Sequence, residues 1–433
     1  MKIKIIAAVF IIVITGFYAI SCTADGKDVD TALKKDFGTQ NKEITELSIL
    51  CVGDIMAHKP QYESAYDSST GVYSFDANYD YVKSYIESAD VAMCNVETVF
   101  ADKEPCGYPL FNAPDELADA IKNAGFDVAV TSNNHMLDQG TAGVDRTIQV
   151  LNDAGLVSVG SKQTTDETDY RMVEAKGIKI GIVAYTYETT GTSSVSSLNG
   201  NRIPDDAADR ICSFNPSDLQ TDITGIKENV AAARKAGAEI IVCYFHWGEE
   251  YHSQPLDYQV NMANEMIADA GVDVIFASHP HVLEPAVVVW SEANQKNVPV
   301  FYSMGNFISN QRSESLGESR RNTEDGMIAE VSFEITRTGD EISKIEMTRA
   351  TALPTWVNRY KSGGKWAYEI VPLDSNYGSN KSLQVSGNTY RADKSIVDSI
   401  NVIGANYDRD ESGRIIIFDA KKWEQESGVE QEA

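Results

Sequence analysis

The chain has 433 residues, 42% of them hydrophobic, which is enough to bury a large core with appendages and excludes a disordered polymer. Lys and Arg number 37 against 64 Asp and Glu, a formal net charge of −27, so the surface repels phosphate backbones and argues against a nucleic-acid partner. The same repulsion opposes a long anionic polymer on the bare surface, while a local cationic centre can still capture an anionic group.

In chain order, Lys2 and Lys4 precede an apolar run over residues 5–20, then Ser21 and Cys22. A basic start, an apolar stretch and a small residue predict a secretory signal. Cys22 after Ala19-Ile20-Ser21 resembles a lipobox cysteine, acylated to become the mature N-terminus of a lipoprotein at the outer face of a cell membrane. Ala19 stands where a larger residue is usual, and an uncleaved anchor is the alternative, although the run is short for a span. Residues 23–45 are polar and lysine-bearing, as a flexible tether would be. Cys51, Cys94 and Cys243 sit in apolar runs and read as small buried hydrophobes. Cys106 and Cys212 are an open pairing, and no spacing resembles a zinc knuckle.

From residue 47, short β-branched runs alternate with amphipathic ones, the rhythm of βαβ units on a mostly parallel sheet. The pattern predicts a strand over 47–52, a helix over 79–89, a strand over 91–94, a helix over 114–124 and a strand over 128–131. It continues with a helix over 143–154, strands over 178–184 and 240–245 separated by a helix over 217–236, then a helix over 258–270 and a strand over 272–277. Gly125, Gly155 and Gly271 stand where left-handed helix caps belong. After Pro285 the chain predicts strands over 286–290, 298–303, 327–335 and 342–348, which either extend the sheet or form a second, antiparallel layer. Residues 310–325 are polar and read as a mobile, solvated loop carrying Arg312, Arg320 and Arg321, with collection of an anionic substrate as the alternative. The acidic end is expected to be frayed or helical.

Four of the six histidines follow apolar strands: His135, His246, His279 and His281. The carboxyl ends of strands in an open α/β sheet converge on one rim, where ligands bind. Asp54 reaches that rim after the first strand, Asn95 and Glu97 after the second. Carboxylates, an amide oxygen and neutral imidazoles form a mixed ligand set that suits Mn, Fe, Zn or Ni better than Mg or Ca. His279-Pro280-His281 in an extended turn would project both rings to one side. Each residue has a plainer account: a strand-ending turn for Gly53-Asp54, a helix-dipole carboxylate for Glu97, local backbone bonds for Asn133 and Asn134, a core histidine for His246. His58 and His252 are isolated. Trp247, Tyr251 and Phe307 either flank a substrate or belong to the core. Joint occurrence at consecutive strand ends outweighs the plain accounts.

These motifs resemble the bacterial capsule-synthesis family associated with poly-γ-glutamate, the CapA or PgsA proteins, whose fold is related to calcineurin-like metallophosphoesterases. The resemblance runs through Gly53-Asp54-Ile55-Met56, Asn95-Val96-Glu97-Thr98, Phe111-Asn112-Ala113-Pro114 and Asn133-Asn134-His135-Met136-Leu137-Asp138. It continues through His246-Trp247-Gly248-Glu249-Glu250-Tyr251, His279-Pro280-His281-Val282 and Tyr302-Ser303-Met304-Gly305-Asn306-Phe307. It implies an α/β, metallophosphoesterase-like layered sheet sandwich flanked by helices over residues 46–353, with a smaller, partly disordered C-terminal extension over 354–433. It implies two divalent metal ions, with Asp54 and Glu97 holding or bridging them, Asn134, His246 and His279 completing one and His281 the other. His135, oriented by Asp138, would donate a proton to the leaving group. Asn95, His58, Glu250 and Asn306 are candidates for supporting or substrate contacts. An Asp-x-His opening is usual, whereas Ile55 and Met56 follow Asp54 here, and Glu97 stands where a bridging Asp is usual. The implied reaction is hydrolysis of a phosphoester, or of an amide bond in a γ-linked glutamyl polymer. The alternative is a non-catalytic accessory subunit that binds polymer, supports its synthesis or export and contacts membrane-bound synthetase subunits; a solute-binding lipoprotein would use a two-lobed cleft instead of a histidine rim.

Overall fold

The computed structural model describes residues 42–189, 196–317, 320–404 and 406–427. The expected signal segment, Cys22, most of the tether and the last residues of the acidic end lie outside them. The strands that matter are β1 (Lys42–Ile55), β2 (Val91–Val96), β3 (Val128–Val130), β4 (Val157–Val159), β5 (Tyr170–Ala175), β6 (Ile178–Tyr187), β7 (Ile240–His246) and β8 (Val274–Ser278). They are followed by β9 (Ala286–Ser291), β10 (Lys296–Phe301), β11 (Asn306–Ile308), β12 (Asp325–Thr338), β13 (Glu341–Ser362), β14 (Lys365–Pro372) and β15 (Ile415–Asp419). The helices used below are α1 (Glu116–Asn123), α2 (Gly140–Asp153), α3 (Leu219–Lys235), α4 (Asp257–Glu265), α5 (Lys381–Ser386) and α6 (Thr389–Gly404).

One sheet has the order β14-β13-β12-β1-β2-β3-β4, with β11 also on β1 and β15 also on β13; the other contains β6-β7-β8-β10-β9, with β5 on β6. Within each, β1-β2-β3-β4 and β6-β7-β8-β10 run parallel. Alternation along each strand sets the layers, because successive side chains point to opposite faces. Leu47, Ile49 and Cys51 of β1 share one core with Ile180, Ile182, Val242, Tyr244 and Phe276 of the second sheet. Leu50 and Val52 point the other way, towards Leu117 and Ile121 of α1. Ile241, Cys243 and Phe245 of β7 likewise meet Ile223, Ile226 and Val230 of α3. The result is a helix, sheet, sheet, helix sandwich, the layered α/β architecture expected. Burial on both faces is why β2 and β7 are apolar without interruption until their polar ends. Gly125 at φ 107° and Gly271 at φ 68° close helices as their positions predicted.

Several expectations change. Strand β1 starts at Lys42, so residues 42–45 are paired to β12 instead of belonging to the tether; their side chains are mostly exposed, which is why they read as polar linker. The helix expected over 79–89 is reduced to Lys83–Glu87. The segment after Pro285 does both things left open: β9 and β10 join the second sheet, while β12 and β13 extend the first. Strand β13 runs without a break through the boundary expected between residues 353 and 354. Arg312 is not on a solvated loop: it is fully buried, donates from Nη1 to the Val357 carbonyl at 2.7 Å and lies over the Trp356 ring. Glu324, 3.5 Å from its Nε, balances the charge that would otherwise forbid burial. Cys51, Cys94, Cys106, Cys212 and Cys243 are all free thiols, so Cys106 and Cys212 form no bridge.

Gly53 lies where β1 exchanges β12 for β11 as its neighbour, and a Cβ there would collide with the Gly305 carbonyl oxygen. Gly53→Ala is expected to lower unfolding stability by about 2–3 kcal/mol, because the Met304-Gly305 backbone cannot yield; urea denaturation measures it.

Candidate metal centre

The carboxyl ends of β1 and β2 and the start of β11 in one sheet meet the carboxyl ends of β7 and β8 in the other. Asp54 sits beside Asn95 on one flank and Asn306 on the other, and His246 beside Ser278. Glu97 follows β2, and His279 and His281 follow β8. The structure therefore gathers every expected metal ligand. Donor atoms of Glu97, His246 and His279 all lie within 4.8 Å of one another, as do those of Asp54, Glu97 and His281. Glu97 is common to both groups. Its Oε1 is 3.8 Å from His246 Nε2 and 3.9 Å from His281 Nε2. Asn134 Oδ1 approaches His246 Nε2 at 3.0 Å.

His279 and His281 are not in an extended turn. Their φ angles are 114° and 58°, conformations that cost a non-glycine residue free energy and persist where the surroundings enforce them. Their ring centroids are 6.0 Å apart, with His246 4.8 Å from His279.

Neither oxygen of the buried Glu97 carboxylate has a hydrogen-bond partner, nor does His279 Nδ1. Burial first, then the Asp54 charge, push the Glu97 pKa well above the usual carboxylate range. Burial also pushes the Asp54 pKa up, but the His281 hydrogen bond and nearby imidazoles outweigh it and hold Asp54 at about 2. His246 is depressed to about 3 by burial and by the neighbouring histidines, against the attraction of Asp54. Burial and the same neighbours push His279 well down. Burial lowers the His281 pKa, but the Asp54 hydrogen bond and charge outweigh it and raise it. The neutral His246 and His279 imidazoles beside the orphaned Glu97 carboxyl group form a donor set that fits divalent cations, since metal ligands must be deprotonated. The residues present thus suit the mixed O/N coordination inferred from their types.

A second layer fixes these ligands. Asn95 Nδ2 donates to Asp54 Oδ1 at 2.8 Å, and Ser278 Oγ donates to the same oxygen, itself held by the Tyr244 hydroxyl. Asn133 donates to Asn95 Oδ1 at 3.2 Å and accepts from the His135 amide at 3.1 Å. Asn306 Oδ1 is 3.1 Å from His281 Nδ1. His135 Nδ1 lies 2.7 Å from Asp138 Oδ2, which also accepts from the Phe111 amide.

His58 joins neither ligand group. It sits edge-on to Phe111, with Nδ1 3.3 Å from both Gln61 Oε1 and the Asn310 amide, and burial followed by the His281 charge lower its pKa to about 3. Glu250 is exposed and acts through its charge on Glu97 and His281. His252 pairs with Glu249 on the surface. Trp247 and Phe307 are core, whereas the Tyr251 ring stands 6.2 Å from that of His281. Ser278, Tyr244 and Tyr187, whose ring is 4.5 Å from His279, escaped the motif analysis. Ser278 was findable, because it directly precedes His279.

Ser278→Ala is expected to weaken metal binding about 10–100-fold by loosening Asp54, measured by competition with a chelating dye. Glu284 is buried three residues beyond His281, with one oxygen accepting from Gln259 at 3.1 Å and the other unpartnered. Burial, only partly offset by that bond, raises its pKa to about 8. Its folded form keeps a proton the unfolded chain has released, so stability is fully present below about pH 4.5 and lost as pH rises towards 8. Glu284→Gln is expected to remove that decline, so that thermal unfolding favours the variant more at pH 8 than at pH 5.

Residues 48–311 match the family model described as "Bacterial capsule synthesis protein PGA_cap". The chain is 29% identical over 280 residues to "Capsule biosynthesis protein CapA" of Bacillus anthracis, covering 63% of this chain and 62% of that one. It is 28% identical over 342 residues to "PGA biosynthesis protein CapA" of Bacillus subtilis (strain 168), covering 76% and 79%. A solved calcineurin-like phosphoesterase, YfkN from Bacillus subtilis, aligns with 82% of this chain and 99% of its own at 13% identity and a TM-score of 0.39. With the family model matching more than half of its length, the chain belongs to the bacterial capsule synthesis protein family, PGA_cap.

Proposed function

We propose that this protein is a divalent-metal-dependent hydrolase of the cell envelope that serves capsule or poly-γ-glutamate synthesis by cutting a phosphoester or a polymer amide bond. The observation that carries this reading is the buried Glu97 carboxylate, shared by two donor groups and lacking any hydrogen bond. Asp54, Glu97 and His281 would hold one cation, and Glu97, His246 and His279, with Asn134 Oδ1 alongside, the other. Bound there, divalent cations such as Mn, Fe, Zn or Ni would supply Lewis-acid stabilisation of charge on a phosphoryl or carbonyl oxygen.

The remaining chemistry belongs to the chain. Asp138 anchors His135 through Nδ1 and leaves Nε2 as the atom that passes a proton to the leaving group. Asn199 Nδ2, 3.4 Å from that nitrogen, helps to place the ring. Asn95 and Ser278 orient Asp54, and His281 together with Ser278 keeps it ionised against its burial. The basic start, the apolar run over residues 5–20 and Cys22 support anchoring on the outer face of the membrane through a lipidated cysteine. Among the described residues no helix is long and apolar enough to cross a membrane.

The names of the two CapA relatives speak of biosynthesis, which supports a second reading, an accessory subunit that binds polymer beside membrane-bound synthetase partners. Metal analysis of the purified chain, paired with assays on a generic phosphodiester and on poly-γ-glutamate, separates the two. Wild type is expected to carry metal and turn over one substrate, and Glu97→Gln to lose both. His135→Asn is expected to keep its metal while kcat falls about 10²–10⁴-fold. Turnover that survives in Glu97→Gln refutes the hydrolase; bound metal with no turnover on either substrate favours the accessory subunit.

A further inference from the structure

At the end of the sandwich away from the metal centre, a cavity of about 430 Å³ opens where the edge of the second sheet meets β13, β15 and a last helix, α7 (Ala420–Ser427). Glu239 and Asp273, just ahead of β7 and β8, and Lys296, the first residue of β10, place it at the amino ends of those strands. Register gives the same position in the first sheet: Lys344 and Ile345 pair with Thr336 and Ile335, which pair with Ile44 and Thr45 at the start of β1. The apolar part of the wall is Trp290, Phe333, Ile345, Met347, Phe418 and Trp423. Trp290 and Trp423 are 43% and 37% exposed, and Ile44, two strands from Lys344, is 55% exposed.

We propose that this tryptophan-edged end rests on the lipid surface, so that the metal centre points away from the membrane. This rests on the membrane-anchoring reading above. Whether Cys22 is lipidated or the apolar run over residues 5–20 stays in place, the attachment lies upstream of residue 23, and the described chain begins at Lys42, at this same end. Residues 23–41 separate the two, and a polar stretch of that length spans about 25 Å as a coil. Strand β1 covers roughly 40 Å from Lys42 to Asp54. The tether therefore holds the entry end to the bilayer, and the metal end would reach it only by stretching the tether well beyond its coil length.

Indole suits that contact, since its apolar body enters the acyl boundary while its N–H stays among the headgroups. The lysines of the groove are already paired, Lys296 with Asp273 and Lys344 with Glu346. The attraction is thus apolar, and a weak contact suffices because the tether raises its effective concentration. With Asp54 that far out, phosphoesters in the headgroup layer are beyond the metal centre, and the substrate is a molecule free of the bilayer.

Full-length protein reconstituted into phosphatidylcholine vesicles brominated near the top of the acyl chains tests this, with flotation reading anchoring and tryptophan quenching reading docking. Two of the five tryptophans edge the groove, so wild-type emission is expected to fall by up to about two-fifths, at low and high salt alike. Residues 1–41 contain no tryptophan, and Trp366 pairs with Lys361 at the other end of β13, so neither adds to the signal. Trp290→Phe with Trp423→Phe is expected to float equally well and escape quenching, with metal content unchanged. Flotation without quenching, equal quenching of the double variant, or quenching that salt abolishes overturns the docked face and leaves the anchor standing. An unquenched protein that cross-links through this groove as a dimer also overturns it, by making a second copy the occupant. Protein that stays in the aqueous fraction removes both the face and the anchor.

Discussion

Burying a carboxylate costs several kcal/mol unless a donor or a cation compensates it, and Glu97 has no donor. Its neighbours increase the cost, since Asp54 is ionised close by and Glu250 adds negative charge from the surface. The surrounding residues do not relieve the carboxylate but fix everything around it. Asp54 is tied by Asn95, Ser278 and His281, and His281 is tied in turn by Asn306. A rigid frame around one buried carboxyl group that has no donor of its own is what a preorganised cation site requires.

The two-sheet architecture makes that frame possible. Asp54, Asn95 and Asn306 come from adjacent strands of one sheet, His246 and Ser278 from adjacent strands of the other. Neither sheet alone assembles a ligand group, because each combines Glu97 with histidines from the opposite sheet. Packing between the layers, through residues such as Cys51, Met93, Tyr244 and Phe276, therefore sets the spacing of these donor atoms as much as it sets stability. Asn133 couples this arrangement to His135, since it bonds both Asn95 and the His135 amide.

Much of the fold was legible because strands buried on both faces leave apolar runs, and helices between them end at glycines. The ligand residues were legible for a related reason: a charged or imidazole side chain directly after such a run has only the rim to occupy. Where legibility failed, tertiary context had reversed local composition. Arg312 looks like loop polarity until Glu324 and Trp356 enclose it. Residues 42–45 look like linker because only backbone bonds to β12 reveal them as strand. The His279-Pro280-His281 turn was found by its spacing, but its positive φ angles depend on packing that the spacing does not encode. Ser278 is marked in the sequence only by its place before His279, and Tyr244 only by the hydroxyl through which it holds Ser278.

The long strand β13 and its partner β12 have a consequence for how the matched region can be dissected. The family match ends at residue 311, yet β1 is paired with β12, from Lys42 against Thr338 to Val52 against Ile328. A fragment cut at the end of the match would leave the strand that presents Asp54 with one flank of unsatisfied amides and carbonyls. Such a bare edge invites pairing with a second molecule. The matched region is thus not a self-sufficient folding unit; its central strand borrows a neighbour from beyond residue 311.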